Sequence, residues 1–325
     1  MKAVEINDDK SLALNEIETP SPASGEVLIR IHATAINRAD LVQRTGGYPP
    51  PPGASHVMGL ECAGEVVETG AGVTRWKAGD RVCALMAGGG YAEYAVCHEG
   101  SVVPIPAGLS YAEAAALPEV FATAWLNLFM EAGLQRGEKV VLHAGASGVG
   151  TAAIQLCKAF GNPCFVTAGD NEKIDACIEL GASAGANRHE GSFFDKAQAF
   201  AGDGGIDVIL DPVGGGYLDD NLRLLGTGGR LVLIGLMGGA KAEINLGLMM
   251  IKRVRMIGST LRARPLEEKA VVMSQLEAQV WPKIETSEIR PIIDRQFDLT
   301  DVEAAHDHVA SNQTLGKVIL NVPQG

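Results

Sequence analysis

A glycine-rich turn between a strand-like run and a helix-like run places the tightest limit on how this chain can fold. Residues 140–143 are an apolar run of strand length, and the turn AGASGVG at 144–150 follows directly. Such a turn lets the backbone approach a pyrophosphate, while the next helix offers free N–H groups and a positive dipole end. Gly145 and Gly150 match the first and third glycines of the usual fingerprint, and Ser147 stands at the second.

Three further strand-and-helix pairs follow this turn. The predicted strands are 140–143, 164–167, 206–210 and 230–234, with a further candidate at 254–258, and the predicted helices are 151–160, 171–180, 192–201 and 217–225. Nearly continuous apolar strands that alternate with helices are typical of a parallel sheet covered on both faces. Right-handed crossovers make this sheet doubly wound, so the sequence predicts an α/β fold with a Rossmann-type doubly wound parallel sheet.

The first third of the chain is β-rich instead. Short apolar runs at 27–33, 64–68 and 80–85 are separated by glycine and proline turns, which predicts strands. Ser110 and Glu113 form a capping box before an Ala-rich helix. The tail returns to strand character at 316–320, and we expect it to rejoin the N-terminal domain because the parallel-sheet domain looks complete by about residue 262.

Charge and hydropathy exclude several classes of function. The formal charge is −12, which disfavours sequence-independent binding to nucleic acid or anionic membranes. The most apolar stretch, 111–133, is interrupted by Glu113, Pro118, Glu119 and Glu131, so no membrane span is predicted. The N-terminus has no secretory signal pattern, and the six scattered cysteines form no CxxC pair. We therefore expect a cytoplasmic protein with buried thiols.

The end of the second parallel strand bears on the choice of nucleotide. An acid about 20 residues beyond the glycine turn binds the ribose diol of NAD. Here Gly169 occupies that position and Asp170 follows it, while Lys173 and Arg188 are placed to meet a 2′-phosphate. This pattern favours NADPH, with Asp170 as the residue that argues for NADH.

Several longer segments then point to one family. They are residues 37–41 (NRADL), 48–55 (YPPPPGAS), 59–61 (GLE), 142–156 (LHAGASGVGTAAIQL), 235–239 (GLMGG) and the terminal pair 316–317 (GK). Together they resemble the zinc-free quinone oxidoreductase branch of the medium-chain dehydrogenase/reductase superfamily. The resemblance implies a GroES-like catalytic domain at 1–120 and 263–325, and a dinucleotide-binding domain at 121–262.

The resemblance also bears on metal binding. Zinc alcohol dehydrogenases of this superfamily carry Cys where this chain has Asn37 and His where it has Leu60, and neither residue is a plausible zinc ligand. The stretch 85–97, where a four-cysteine lobe is expected, has one cysteine. We therefore expect no metal site, and we expect His306 and His308 to be surface residues.

A site without zinc lacks a strong Lewis acid, so the substrate is expected to be a good electrophile such as a quinone, with ortho-quinones favoured. Tyr48 is the candidate hydrogen-bond donor and ring wall, and Asn37 is the candidate orienting amide. Alternatively, Tyr48 anchors the proline-rich loop and Asn37 bonds only backbone. Asp40 is expected to fix the loop.

The remaining expected cofactor contacts follow from the family's matching segments. Leu236 and Met237 are interpreted either as pocket wall or as core, and either Lys317 or Thr314 is expected to reach from the tail. The full expected set is Thr123, Gly145, Ala146, Ser147, Gly148, Val149, Gly169, Lys173, Arg188, Gly235, Leu236, Met237, Leu261, Arg262, Thr314 and Lys317.

Two other functions compete with NADPH-dependent quinone reduction. An enoyl or alkenal reductase would share the fold and cofactor and differ only in pocket shape. An RNA-binding or crystallin-like structural role is known among relatives, but the acidic charge and the retained cofactor residues argue against it. Relatives pair the strand corresponding to 254–259 across a sheet edge, which implies a homodimer.

Overall fold

A computed structural model of the chain describes residues 1–324. These residues form two compact units. One unit comprises Met1–Ala122 together with the residues from Leu261 onward, and the other is Thr123–Thr260.

The N-terminal part of the first unit is rich in strands, as predicted. Its elements are β1 Lys2–Ile6, β2 Leu12–Glu16, β3 Glu26–Ile36, α1 Arg38–Arg44, β4 Glu61–Thr69, β5 Arg81–Leu85, β6 Tyr94–His98, β7 Val102–Pro104, α2 Tyr111–Ala115 and α3 Pro118–Trp125. The predicted capping box is confirmed, since Ser110 and Glu113 exchange side-chain and backbone hydrogen bonds. The Ala-rich helix ends at Ala115, and Pro118 begins a separate helix.

The second unit is an α/β layer with an entirely parallel sheet. Its elements are β8 Val140–Leu142, α4 Gly148–Phe160, β9 Cys164–Ala168, α5 Asn171–Leu180, β10 Ala184–Asn187, α6 Phe194–Ala201, β11 Ile206–Asp211, α7 Leu218–Leu224, β12 Leu225–Leu233, α8 Leu246–Lys252 and β13 Arg255–Gly258. The strand order is β10-β9-β8-β11-β12-β13, which confirms the predicted doubly wound fold. The order reverses between β8 and β11, where such sheets bind their ligands.

The tail belongs to the first unit. It contains α9 Leu266–Gln279, α10 Trp281–Glu285, β14 Ile293–Asp298, α11 Val302–Ala310 and β15 Lys317–Asn321. β15 pairs antiparallel with β3, with Val318 opposite Ile36, so the prediction that the tail rejoins the N-terminal part is confirmed. The resulting sheet has the order β14-β15-β3-β4-β5-β7, and β6 also pairs with β3.

Helix α11 corrects one expectation. Val302, Ala305, His306 and Val309 form its buried face, so the surface position expected for His306 is wrong. The helical period places His306 on the same side as the apolar residues. His308 lies on another face and is 2.6 Å from the Asp294 carboxylate.

The six cysteines are buried and unpaired, as predicted. Within residues 1–324, no helix has the length and apolar character needed to cross a membrane.

Candidate active site

Three polar side chains meet inside the first unit where three paired strands begin or end. Asn37 follows β3, Lys317 begins β15 and Glu61 begins β4. The Lys317 ammonium lies 2.7 Å from Asn37 Oδ1, 2.8 Å from Glu61 Oε1 and 2.9 Å from the Ile36 carbonyl oxygen. Asn37 Nδ2 donates to the same Glu61 oxygen at 2.8 Å.

This cluster fixes the orientation of the Asn37 amide. Lys317 is 3% exposed and Glu61 is fully buried, so their ion pair is shielded from water. The ammonium donates to the Ile36 and Asn37 oxygens and forms an ion pair with Glu61, so its contacts within this cluster are all internal. Thr314, the other candidate from the tail, is half-buried in the loop before β15.

Glu119 joins the cluster through its backbone. Its N–H, in the first turn of α3, donates to Glu61 Oε2 at 2.9 Å. Burial, reinforced by the neighbouring Glu61 carboxylate, raises the pKa of Glu119 to about 8. Glu119 is therefore a carboxylic acid that keeps its proton at neutral pH.

Tyr48 is held by Arg262, which the sequence analysis assigned to the cofactor. The guanidinium donates to the carbonyl oxygens of Tyr48 at 3.0 Å and Ala87 at 2.7 Å, and it lies 5.1 Å from the centre of the Tyr48 ring. Arg262 is 3% exposed, and its Nη2 has no hydrogen-bond partner among residues 1–324. Burial raises the pKa of the half-buried Tyr48 hydroxyl, so it stays protonated as a hydrogen-bond donor. Leu261 beside it is buried.

Asp40 fixes the start of α1. Its Oδ2 accepts the Asn37 N–H at 2.7 Å and the Tyr91 hydroxyl at 3.1 Å. The same hydroxyl lies 3.2 Å from His306 Nε2. Burial raises the pKa of Asp40 to about 6 and lowers the pKa of His306 to about 4. His306 is thus a neutral, internal histidine.

The glycine turn in the second unit has the geometry of a phosphate-binding loop. A Cβ on Gly150 would lie 2.4 Å from the Gly145 carbonyl oxygen, and one on Gly145 would lie 2.7 Å from Val166 Cβ, so both positions require glycine. Ser147 caps α4 by accepting the Gly150 N–H at 3.0 Å. The N–H groups of the helix-opening residues 148–149 have no carbonyl partner within the helix. Ala146 is buried beside them.

The end of β9 brings together the residues predicted to select the nucleotide. A Cβ on Gly169 would lie 3.8 Å from both Nε and Nη2 of Arg188, at van der Waals distance, so the guanidinium lies directly beside Gly169. Asp170 caps α5, accepting the Lys173 N–H at 2.8 Å, and its carboxylate is 3.7 Å from the Lys173 ammonium. Asp170 therefore acts as a helix cap in this structure.

The carboxyl ends of β11 and β12 meet at a close backbone contact. A Cβ on Gly235 would lie 2.8 Å from the Pro212 carbonyl oxygen. Leu236 and Met237 are 57% and 55% exposed, so the core alternative for these two residues is wrong. Leu236 lines a groove with Gly214 and Gly239.

A buried polar network lies behind this edge, and the sequence analysis did not single it out. His143, at the end of β8, is 3.1 Å from Thr167 Oγ1 and 2.8 Å from Asn221 Oδ1. Asn221 donates to Asp211, whose other oxygen accepts the backbone N–H of Val213. The network ties β8, β9 and β11 together at the point where the strand order reverses.

Thr123 is half-buried in α3, and its carbonyl oxygen accepts a hydrogen bond from the Asn127 side-chain amide at 2.7 Å.

Glu61 and Glu119 were given no role in the prediction from sequence. The sequence feature that could have identified Glu61 is its position as an acid at the start of the apolar strand that follows Gly59-Leu60. Within residues 1–324, no group of three His, Cys, Asp or Glu side chains is arranged to hold a metal ion.

Comparisons with known proteins agree with this architecture. The alcohol dehydrogenase GroES-like domain model matches residues 23–107, and the zinc-binding dehydrogenase model matches residues 148–278. Quinone oxidoreductase of Rattus norvegicus is 34% identical over 308 residues, covering 94% of this chain and 92% of the rat protein. Escherichia coli quinone oxidoreductase, solved in complex with NADPH, superposes with a TM-score of 0.86 at 27% identity, covering 98% of each chain.

A third relative is the JamJ enoyl reductase, which superposes with a TM-score of 0.87 at 26% identity and covers 99% of each chain. Identity above 30% over nearly the whole length of a curated relative places the chain in one family. The chain belongs to the quinone oxidoreductase family of the medium-chain dehydrogenase/reductase superfamily.

Proposed function

We propose that this protein is an NADPH-dependent oxidoreductase that reduces quinones, with ortho-quinones favoured. The observation that supports the cofactor choice is the Arg188 guanidinium directly beside Gly169, with Lys173 on the next helix. The names of its relatives support quinones as the substrate class. We assign residues 1–120 and 263–325 to the catalytic domain and residues 121–262 to the dinucleotide-binding domain.

The residues of the second unit fit this cofactor. Arg188 and Lys173 would hold the 2′-phosphate, because they are two cations close to Gly169 at the end of β9. The N–H groups of Ala146, Gly148 and Val149 would hold the pyrophosphate. The exposed side chains of Leu236 and Met237 would pack against the nicotinamide half, with Thr123, Leu261 and Thr314 as further contacts. Bound NADPH supplies the hydride.

Tyr48 and Asn37 act on the substrate in this proposal. The Tyr48 hydroxyl donates a hydrogen bond to a quinone oxygen, and Arg262 fixes the loop that carries it. The Asn37 amide is held by Lys317 and Glu61, so it acts as a preorganised wall of the site rather than a mobile contact.

A substrate panel tests this proposal. With saturating NADPH, we expect the fastest oxidation with an ortho-naphthoquinone, slower oxidation with a para-benzoquinone, and the slowest with a conjugated enal. Tyr48→Phe should lower the ortho-quinone rate roughly 10-fold, the worth of one lost hydrogen bond to substrate. A faster rate with the enal than with every quinone would overturn the proposal.

The second candidate is an enoyl or alkenal reductase, favoured by the superposition with the JamJ enoyl reductase. It needs the same cofactor residues and differs in the electrophile. Preferred turnover of the conjugated enal in the same panel would establish it.

We also propose a cytoplasmic homodimer that pairs the edge of the parallel sheet. β13 is an edge strand, and α8 next to it exposes Leu246, Met250 and Ile251. Several exposed apolar side chains on one surface are typical of protein interfaces. Light scattering at low micromolar concentration should give about twice the 34.0 kDa chain mass. A monomeric mass would contradict the dimer.

A further inference from the structure

The carboxyl group of Glu119 is an acid without an internal partner. Its backbone N–H is bound by Glu61, but its carboxyl oxygens make no hydrogen bond to any residue between 1 and 324. The residue is half-buried in the first turn of α3. It lies within electrostatic range of Tyr48 and of Arg262, whose buried Nη2 also lacks a partner. The buried Arg262 Nη2 without a partner indicates a position for a ligand oxygen, and the half-buried Glu119 carboxyl lies within electrostatic range of it.

Most neighbouring polar groups already have partners. The Lys317 ammonium and the Asn37 amide bind each other and Glu61. The Tyr91 hydroxyl donates to Asp40 Oδ2 and contacts His306 Nε2, while Asp40 Oδ1 and His306 Nδ1 have no partner among residues 1–324. Asp40 has a pKa of about 6 and Glu119 a pKa of about 8, so Glu119 is the carboxyl group of the two that still carries its proton at neutral pH.

We propose that Glu119 is a catalytic acid that gives a proton to the substrate oxygen as the substrate is reduced. This inference rests on the proposed quinone reductase function and assigns a proton donor to it.

The step balances in atoms and charge. Transfer of a hydride converts the quinone to a hydroquinone monoanion. The O–H bond of Glu119 then breaks and the O–H bond of the hydroquinone forms, which leaves a Glu119 carboxylate. Water returns the proton, so one quinone, one NADPH and one proton give one hydroquinone and one NADP⁺.

The surrounding charges keep this acid protonated before the step. The groups that face it are Glu61, Lys317, Asp40, Lys269, Tyr48 and Arg262. Burial and the Glu61 charge outweigh the attraction of Lys317 and Lys269, and they raise the pKa of Glu119 to about 8. A carboxylic acid with a pKa near the working pH is well suited to general acid catalysis.

Glu119→Gln tests the proposal because it keeps the shape and removes the proton. Positioned acids contribute roughly 10²- to 10⁴-fold. We expect kcat to fall about 100-fold with an electron-rich quinone, whose hydroquinone anion is strongly basic, and much less with an electron-poor quinone. We also expect the wild-type kcat to fall above about pH 8, where Glu119 loses its proton, and we expect the variant to show no such decrease. Glu267→Gln, an exposed acid in the first turn of α9, is the matched control and should leave both profiles unchanged.

A second readout does not depend on turnover. Infrared titration of the cofactor-free protein should show a protonated carboxyl band that disappears around pH 8 and that Glu119→Gln lacks. Thermal unfolding of the variant should show that it remains folded.

The outcomes separate the two proposals. A wild-type enzyme that reduces no quinone overturns the proposed function. A wild-type enzyme that reduces quinones, with a variant of equal rate and pH profile across the quinone series, overturns the role of Glu119 alone.

Discussion

Removal of the Lys317 ammonium is the sharpest test of the buried cluster in the first unit. Lys317→Met keeps an unbranched chain of similar length but deletes a charge that is 3% exposed and bound to Ile36, Asn37 and Glu61. The fully buried Glu61 would then keep only the Asn37 amide and the Glu119 N–H as donors. Breaking one partner of a buried pair costs about 3–5 kcal/mol. We expect the lower end, about 3 kcal/mol, because these two donors remain.

Hydrogen exchange followed by mass spectrometry measures this loss where it occurs. About 3 kcal/mol corresponds to roughly 100-fold faster exchange, which we expect in β3, β4 and β15. The strands of the second unit provide the internal reference. Lys77→Met, at an exposed site in the same unit, should leave exchange unchanged.

A double variant makes the test specific to charge. Replacing both partners of a buried pair is often nearly neutral. Glu61→Gln combined with Lys317→Met should therefore be more stable than Lys317→Met alone. Unchanged exchange in Lys317→Met, or a double variant that is less stable than the single one, would refute the reasoning.

Three further predictions address other parts of the molecule. Arg188→Ala should raise the KM for NADPH roughly 10- to 150-fold, because one charge-assisted hydrogen bond to the cofactor is lost. The KM for NADH should stay unchanged. Equal effects on both KM values would contradict the role of Arg188 in binding the 2′-phosphate. Gly150→Ala should destabilise the second unit by about 1–3 kcal/mol, measured by denaturant unfolding, because its Cβ would meet the Gly145 carbonyl at 2.4 Å. His306 has a lowered folded pKa, so the unfolded chain binds more protons between pH 6.5 and 4 and stability falls as the pH drops through that range. His306→Gln should remove up to about 3 kcal/mol of this decrease in the free energy of unfolding at low pH. A variant whose unfolding has the same pH dependence as the wild type would contradict this prediction.

Most of the fold of the second unit could be predicted from local sequence patterns. Apolar strands, glycine turns and helix caps are short-range features, so the sequence predicted the helix at 171–180 with its observed limits. The glycine turn was predicted because it lets the backbone approach a pyrophosphate, and the structure adds a second reason, since a Cβ on Gly145 would meet Val166 and one on Gly150 would meet the Gly145 carbonyl oxygen. His306 was missed because the helical face that includes it was not followed through Val302, Ala305 and Val309.

The polar cluster of the first unit could not be predicted from local sequence patterns. Asn37, Glu61 and Lys317 are separated by 24 to 280 positions and meet only through strand register. The sequence singled out Asn37 and Lys317 by resemblance and assigned them different partners. Arg262 was expected at the cofactor by resemblance, and its hydrogen bond to the Tyr48 carbonyl is a further long-range contact that local patterns do not predict.

The most direct test of quinone reduction with NADPH is the initial rate of cofactor oxidation with an ortho-naphthoquinone, measured with NADPH and NADH side by side. We expect fast turnover with NADPH and little with NADH, because the cations Arg188 and Lys173 lie close to Gly169. Equal or faster turnover with NADH would contradict the cofactor assignment and give Asp170 control of the ribose site. No turnover with either cofactor would contradict quinone reduction itself.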